Sequence, residues 1–311
     1  MAQVMLEARQ LTKAYNSTVV VDRLDLRIQE GEIYGFLGPN GAGKTTTILM
    51  FLGLTEPTSG EARIHGYDAT RDATKVKRIT GYLPENVGFY EDMTARENLK
   101  YVARLNSIPE SEATQKIGDL LKLVGLADVA NQEVGKYSKG MKQRLGIANV
   151  LIKEPRLVIL DEPTTGIDPE GVNLILDLIV HMAREQGMAV LLCSHLLYQV
   201  QKICDRVGII VDGKLVAEGS MQQMGQIMTG EGQHLLEVRV TQLDDKLIES
   251  ISAIPTVRSV ERLGDTLIVK SGQDITDKIS RIVVDAGSLP LMIRAQDYTL
   301  EEIYMKYFRE E

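Results

Sequence analysis

A short apolar run, Glu32-Ile-Tyr-Gly-Phe-Leu37, opens directly into Gly38-Pro-Asn-Gly-Ala-Gly-Lys-Thr45, and a helical pattern continues from Lys44 to Leu54. A buried strand that must turn at once into a helix through Gly38, Gly41 and Gly43 constrains the fold more than any other stretch. The turn needs backbone freedom and close approach, and it leaves the loop and helix N–H groups facing one concave space. A phosphate fits such a space, because the amides and the helix dipole both attract negative charge. In this pattern Lys44 is placed to bridge the β and γ phosphates and the Thr45 hydroxyl to ligate magnesium.

The rest of the chain supplies the sheet. Leu157-Val-Ile-Leu160, Ala189-Val-Leu-Leu192 and Val207-Gly-Ile-Ile-Val211 are short continuous apolar runs separated by helical stretches, the mark of parallel strands buried on both faces. Residues 4–35 alternate, and 61–68 reads as one further strand after the turn at residues 57–60, so a small β layer is expected around the loop. Residues 94–152 read as three helices, with Thr94 and Glu97 as a capping box and Ser138 as an N-cap.

After residues 230–234 the pattern changes. Leu236, Val238 and Val240 alternate. A helix over about 243–253, a hairpin turning at Gly264-Asp265, a helix over about 273–286, a strand near 290–294 and a terminal helix boxed by Thr299 and Glu302 follow. That order predicts a β-α-β-β-α-β accessory domain of ferredoxin-like α+β type. With 311 residues the chain is long enough for two domains. The expected division is 1–229, with a helical subdomain at about 86–150, a linker at 230–234, and 235–311.

Composition narrows the partners. Against 35 basic residues stand 43 acidic ones, a net charge of −8, and no basic block occurs, so a nucleic-acid partner is not expected. No stretch approaches the roughly 18 apolar residues of a membrane span, and the N-terminal segment has no secretion signal, so the chain is expected to stay in the cytoplasm. Cys193 and Cys204 lack a disulfide framework, in keeping with a reducing compartment.

Asp161 follows a buried strand, where α/β sheets bind ligands, and its carboxylate can hold Mg²⁺. Glu162 is a second acid able to orient or deprotonate water, worth about 10²–10⁴ in rate. An Asp-Glu pair is more commonly a cap and a surface acid; the phosphate loop favours the catalytic reading. Ser138 opens a helix whose free amides suit a terminal phosphate, or merely caps it. His195, after another buried strand, can reach a γ-phosphate or its attacking water, although a lone histidine is more often structural. Tyr15 can stack on a base or simply pack. Cys193 and His195 make a poor metal site, and Met221, Met224 and Met228 read as a buried helix stripe.

Together these segments resemble the ATP-binding subunits of ABC transporters, over about residues 4–225. Gly38, Pro39, Asn40, Gly41, Ala42, Gly43, Lys44 and Thr45, with Thr46 beside them, take the place of the Walker A loop, and Leu157–Glu162 that of Walker B with its catalytic glutamate. Tyr15 stands where the family stacks adenine. Tyr137–Met141, with Ser138 and Gly140, stands for the signature, Gly166–Asp168 for the D-loop, and His195 for the switch histidine. Glu85, in Gly81-Tyr-Leu-Pro-Glu85, replaces the usual glutamine near magnesium and the lytic water. Lys139 and Met141 replace the usual signature glycine and glutamine.

These spellings are similar to the ABC-2 type exporter branch. A narrower likeness runs to the ATPase of the nitrous-oxide-reductase maturation transporter, which handles copper or sulfur. The resemblance implies a P-loop ATPase core with ATP and Mg²⁺ as cofactors and with Lys44, Glu162 and His195 as catalytic residues. It further implies a dimer of two chains around two ATP, Lys44 of one facing Ser138 of the other, and integral-membrane permease subunits engaged through about Glu85–Glu97, at the inner face of the cell membrane. The other class to weigh is a soluble ABC protein acting on ribosomes or DNA; those carry a second core or long coiled coils, which this sequence lacks.

Overall fold

The computed structural model describes residues 3–224, 234–295 and 300–308. β1 (Val4–Tyr15) and β2 (Thr18–Gln29) form a long antiparallel hairpin whose apolar positions, such as Leu24, Leu26 and Ile28, are buried. β3 (Ile33–Leu37) is buried at every position and leads through the glycine loop into α1 (Lys44–Phe51). The chain then rejoins the first sheet as β4 (Ser59–Ile64) and β5 (Tyr67–Asp68), giving the order β2-β1-β4-β5. The stretch expected as one strand over 61–68 is therefore two, because His65 at φ 49° and Gly66 at φ 83° turn the chain.

α2 (Ala73–Ile79) and β6 (Thr80–Leu83) follow. The helical portion holds α3 (Ala95–Leu105), α4 (Glu110–Leu123) and α5 (Lys139–Leu151), the three helices expected. The Thr94–Glu97 capping box forms in both directions, and the Ser138 hydroxyl caps α5. α5 reaches the sheet through a glycine: a Cβ on Gly146 would lie 2.5 Å from Cδ1 of Leu83 on β6.

β7 (Leu157–Asp161), α6 (Pro169–Arg184), β8 (Ala189–Cys193), α7 (Leu197–Ile203), β9 (Arg206–Val211) and β10 (Lys214–Gly219) complete the core. β7 and β8 are buried throughout, like β3, as strands covered on both faces must be. The six-stranded sheet runs β10-β9-β3-β8-β7-β6, parallel from β9 to β6. The carboxyl ends of β3, β6, β7 and β8 thus lie along one edge, where open α/β sheets bind ligands.

The contacts divide the chain into two compact units, Met1–Glu218 and Gly219–Glu311. The second runs β11 (His234–Val240), α8 (Asp245–Ser252), β12 (Val257–Leu263), β13 (Thr266–Ser271), α9 (Thr276–Asp285), β14 (Pro290–Ala295) and α10 (Leu300–Phe308). Its sheet is antiparallel in the order β12-β13-β11-β14, the ferredoxin-like arrangement. Leu236, Val238, Leu267 and Val269 pack against Leu247, Ile251, Ile279 and Val283 in a core of its own. Of the expected methionine stripe Met224 is fully buried and Met221 only partly so; Met228, Thr299 and the linker up to residue 233 lie outside the described residues.

Candidate active site

The loop after β3 is built for close approach. Gly43 sits at φ 99°, and a Cβ there would meet the Val20 carbonyl at 2.6 Å. α1 has no side-chain cap and no acid in its first turn, so its N-terminal amides stay open to an anion. Lys44 is buried, and its ammonium donates to the Gly38 carbonyl at 2.6 Å and the Pro39 carbonyl at 3.0 Å. Those two contacts hold the charge over the loop.

A cavity of about 240 Å³ collects the loop and both acids: Asn40, Gly41, Gly43, Lys44, Thr45 and Thr46 face Glu85, Asp161 and Glu162 across it. That size suits a phosphate chain better than a whole nucleotide. Tyr15 lies at the half-exposed end of β1, outside the cavity lining, with Lys13 Nζ 4.9 Å from its ring centroid. A cleft of about 740 Å³ between α4, α5 and the Gln186–Met188 turn is larger, but it mixes Lys116, Arg156, Asp119 and Glu154 and contains no sequence-predicted site residue.

Asp161 ends β7 opposite Cys193 of β8. Burial pushes its carboxyl above the ordinary aspartate range, and the Glu162 and Glu85 charges add to that; the Lys44 ammonium and the Tyr82 hydroxyl oppose them. Glu162 holds a left-handed backbone at φ 50°, a conformation costing a non-glycine about 1–3 kcal/mol, and its N–H donates to the Cys193 carbonyl at 2.9 Å. That strained turn aims its carboxylate at His195: Oε2 lies 2.8 Å from Nδ1 of His195 and accepts from the Thr165 hydroxyl at 3.2 Å.

The remaining predicted residues gather elsewhere. Ser138 Oγ accepts from the Met141 N–H at 3.2 Å, and a Cβ on Gly140 would lie 3.2 Å from Cγ2 of Ile167. Asp168 caps α6 by accepting from the Gly171 N–H at 2.9 Å, which holds its carboxyl below the usual range. The start of α5 and the Gly166–Asp168 turn therefore form one surface, and none of Ser138, Gly140 and Asp168 lines the cavity at Lys44.

The sequence profile of the ABC transporter family matches residues 21–165. The chain is 37% identical over 303 residues to the bacitracin transport ATP-binding protein BcrA of Bacillus licheniformis, covering 97% of this chain and 96% of that protein. The chain belongs to the ABC transporter family. It is an ATP-binding subunit and an ATPase of that family. The linearmycin resistance ATP-binding protein LnrL of Bacillus subtilis (strain 168) is 31% identical over 306 residues, 97% of each chain. These matches run through the second unit as well as the first. Among solved structures, a dimeric ATP-binding cassette in a post-hydrolysis state bound to ADP and Pi superposes with TM-score 0.64 at 25% identity, over 70% of this chain and 98% of that one.

Within this ABC subunit, two polar neighbours of the acids escape the motif reading. Thr165 is a Walker B neighbour whose hydroxyl reaches Glu162 only because the turn folds back. Tyr82, inside the Gly81–Glu85 segment, sits on β6 beside β7 and on the same sheet face as Asp161. Neither has a spacing signal, since both placements depend on strand pairing and loop path.

Proposed function

We propose that the chain hydrolyses ATP as half of a dimer closed around two nucleotides, and that closure drives separate membrane subunits of an ABC-2 type exporter. The observation that carries this is the split of the predicted residues: Lys44, Thr45, Asp161 and Glu162 share one cavity, whereas Ser138 is exposed at the start of α5 and lies outside that cavity. A second copy supplies the missing half. Among the described residues no helix is long and apolar enough to cross a membrane, which leaves translocation to other subunits. The export direction comes from BcrA and LnrL, named for bacitracin transport and linearmycin resistance.

In this reading Lys44 and the loop amides hold the phosphates. Thr45 and Asp161 offer hard oxygen donors to one face of the cavity, a set that fits Mg²⁺, which binds through one or two protein oxygens together with phosphates. The metal would neutralise phosphate charge. Glu162, steadied by His195 and Thr165, orients or accepts a proton from the attacking water. Glu85 faces the same cavity, Tyr15 stacks the adenine, and Asp168 meets the partner beside Ser138. We place the division at 1–229 and 235–311, joined by a linker, and the subunit at the inner face of the membrane.

The test is Glu162→Gln in the full chain. Turnover should fall by about 10²–10⁴ while ATP affinity holds, and size-exclusion chromatography in ATP should show a dimer that Ser138→Arg abolishes without weakening nucleotide binding. A Glu162→Gln chain that stays monomeric at saturating ATP removes the shared-site reading.

A further inference from the structure

The register of β7 and β8 brings more together than Glu162 and His195. Each strand runs into a turn, residues 162–166 after β7 and residues 194–196 before α7, and the first is tied to β8 at its root, where the Glu162 N–H meets the Cys193 carbonyl. A second tie lies farther along both turns. The Thr164 hydroxyl donates to the amide oxygen of Gln199, 35 residues on, in the first turn of α7. Thr164 is only 2% exposed, and a hydroxyl so far from water must find its partner inside the fold.

His195 has little else to hold it. Half of its side chain is exposed, and the Glu162 carboxylate is the contact that orients its ring, so the aim of the imidazole depends on where its backbone sits. α7 has only seven residues and no side-chain cap at Leu196, which leaves its start few internal bonds. Two side chains make up for that. The buried Ser194 hydroxyl accepts from the Leu196 N–H at 3.0 Å, within the stretch itself. Gln199 holds the downstream end, and its partner Thr164 stands on the same turn as Glu162. Carboxylate and imidazole are thereby referred to one frame.

We propose that Gln199 is a positioning residue: by accepting from Thr164 it fixes the start of α7, and with it His195, to the turn that carries Glu162. This rests on the reading of Glu162 as the residue that acts on the attacking water, with His195 beside it. Gln199 does not line the phosphate cavity and touches neither nucleotide nor water in this role. Its loss lets the imidazole drift from the carboxylate, and a misplacement of about 1 Å already slows a positioned reaction.

The experiment measures steady-state ATPase beside nucleotide titration in the full chain. Gln199→Leu, which keeps the bulk and removes the acceptor, should lower kcat about three- to tenfold, the worth of one neutral hydrogen bond, and leave ATP affinity within about twofold. Gln199→Glu retains an acceptor and should recover most of the rate. Thr164→Val, which removes the donor, should match Gln199→Leu, and the two together should cost no more than either alone. The deciding comparison is made in His195→Ala, where Gln199→Leu should lower kcat no further because no imidazole is left to aim. Equal fold losses with and without His195 overturn the proposal, since Gln199 would then act on the fold at large. So does a Gln199→Leu chain with the parent kcat. Glu162→Gln separates the two levels: if its turnover matches the parent, the catalytic reading of Glu162 fails and the proposal with it; if its turnover collapses while Gln199→Leu keeps its rate, only the role of Gln199 is wrong.

Discussion

Nδ1 of His195, at the end of β8, lies 2.8 Å from Oε2 of Glu162, at the end of the neighbouring β7. Two residues far apart in sequence are brought together by the register of two parallel strands, Asp161 opposite Cys193. The contact is directional. Nδ1–H donates to the carboxylate, Thr165 donates to the same oxygen, and the left-handed turn at Glu162 leaves that carboxylate few other orientations.

His195→Ala should leave Glu162 with only the Thr165 hydroxyl. Losing a hydrogen bond to a charged group costs about 1.5–3 kcal/mol, so kcat should fall about ten- to a hundredfold. Half of His195 is exposed and it does not line the phosphate cavity, so ATP affinity should hold. His195→Asn, whose amide can still donate, should recover part of the rate. Steady-state ATPase beside nucleotide titration checks this; a kcat unmoved in His195→Ala would show that Glu162 keeps its aim without the imidazole.

Asp161 gives a prediction about stability. Its carboxyl is raised above the ordinary value mainly by burial, then by the Glu162 charge. The folded state therefore binds this proton more tightly than the unfolded chain does. As pH rises from the ordinary carboxyl value through the raised one, the unfolded chain ionises first and the fold loses stability; the full penalty is present at neutral pH. Asp161→Asn should melt higher than the parent in the nucleotide-free state near neutral pH, and the gap should close as pH falls toward the ordinary aspartate value. In Mg²⁺ and ATP the order should reverse. Thermal melts across pH, with and without Mg²⁺ and ATP, decide it, and a gap that widens in acid would contradict the stated sign.

How much of this was legible differs by residue. Lys44, Asp161 and Glu162 were readable because each sits at a fixed offset from a continuous apolar run, and the run itself signals a buried strand. The partition of Ser138 from Lys44 was readable only through the resemblance. β6 was not readable: four residues with a glycine among them carry no periodicity, and Thr80–Leu83 becomes a strand only because β7 pairs with it. The β10 return was missed for a related reason, since Lys214–Gly219 alternates weakly and is fixed by its place beside β9. The place of Tyr82 on the sheet face of Asp161 and the contact of Thr165 with Glu162 follow from those tertiary choices, not from spacing.

The seam between α5 and β6 ties the Ser138 helix to the strand that leads into Glu85, and one glycine tests it. A Cβ on Gly146 would lie 2.5 Å from Cδ1 of Leu83 and 3.3 Å from both γ-carbons of Val87. Leu83 is itself buried and paired with Leu160, so it has little room to yield. Gly146→Ala should cost about 1–3 kcal/mol through overpacking, and β6 should shift with it, so ATPase should drop further than ATP affinity as Glu85 moves in the cavity. Gly118 on α4 is the control: nothing lies within 4 Å of its added Cβ. There the helix preference of alanine should stabilise by about 0.5–1 kcal/mol. Denaturant midpoints of the two variants should move in opposite directions, and a Gly146→Ala chain as stable as Gly118→Ala would mean that the seam is looser than its distances state.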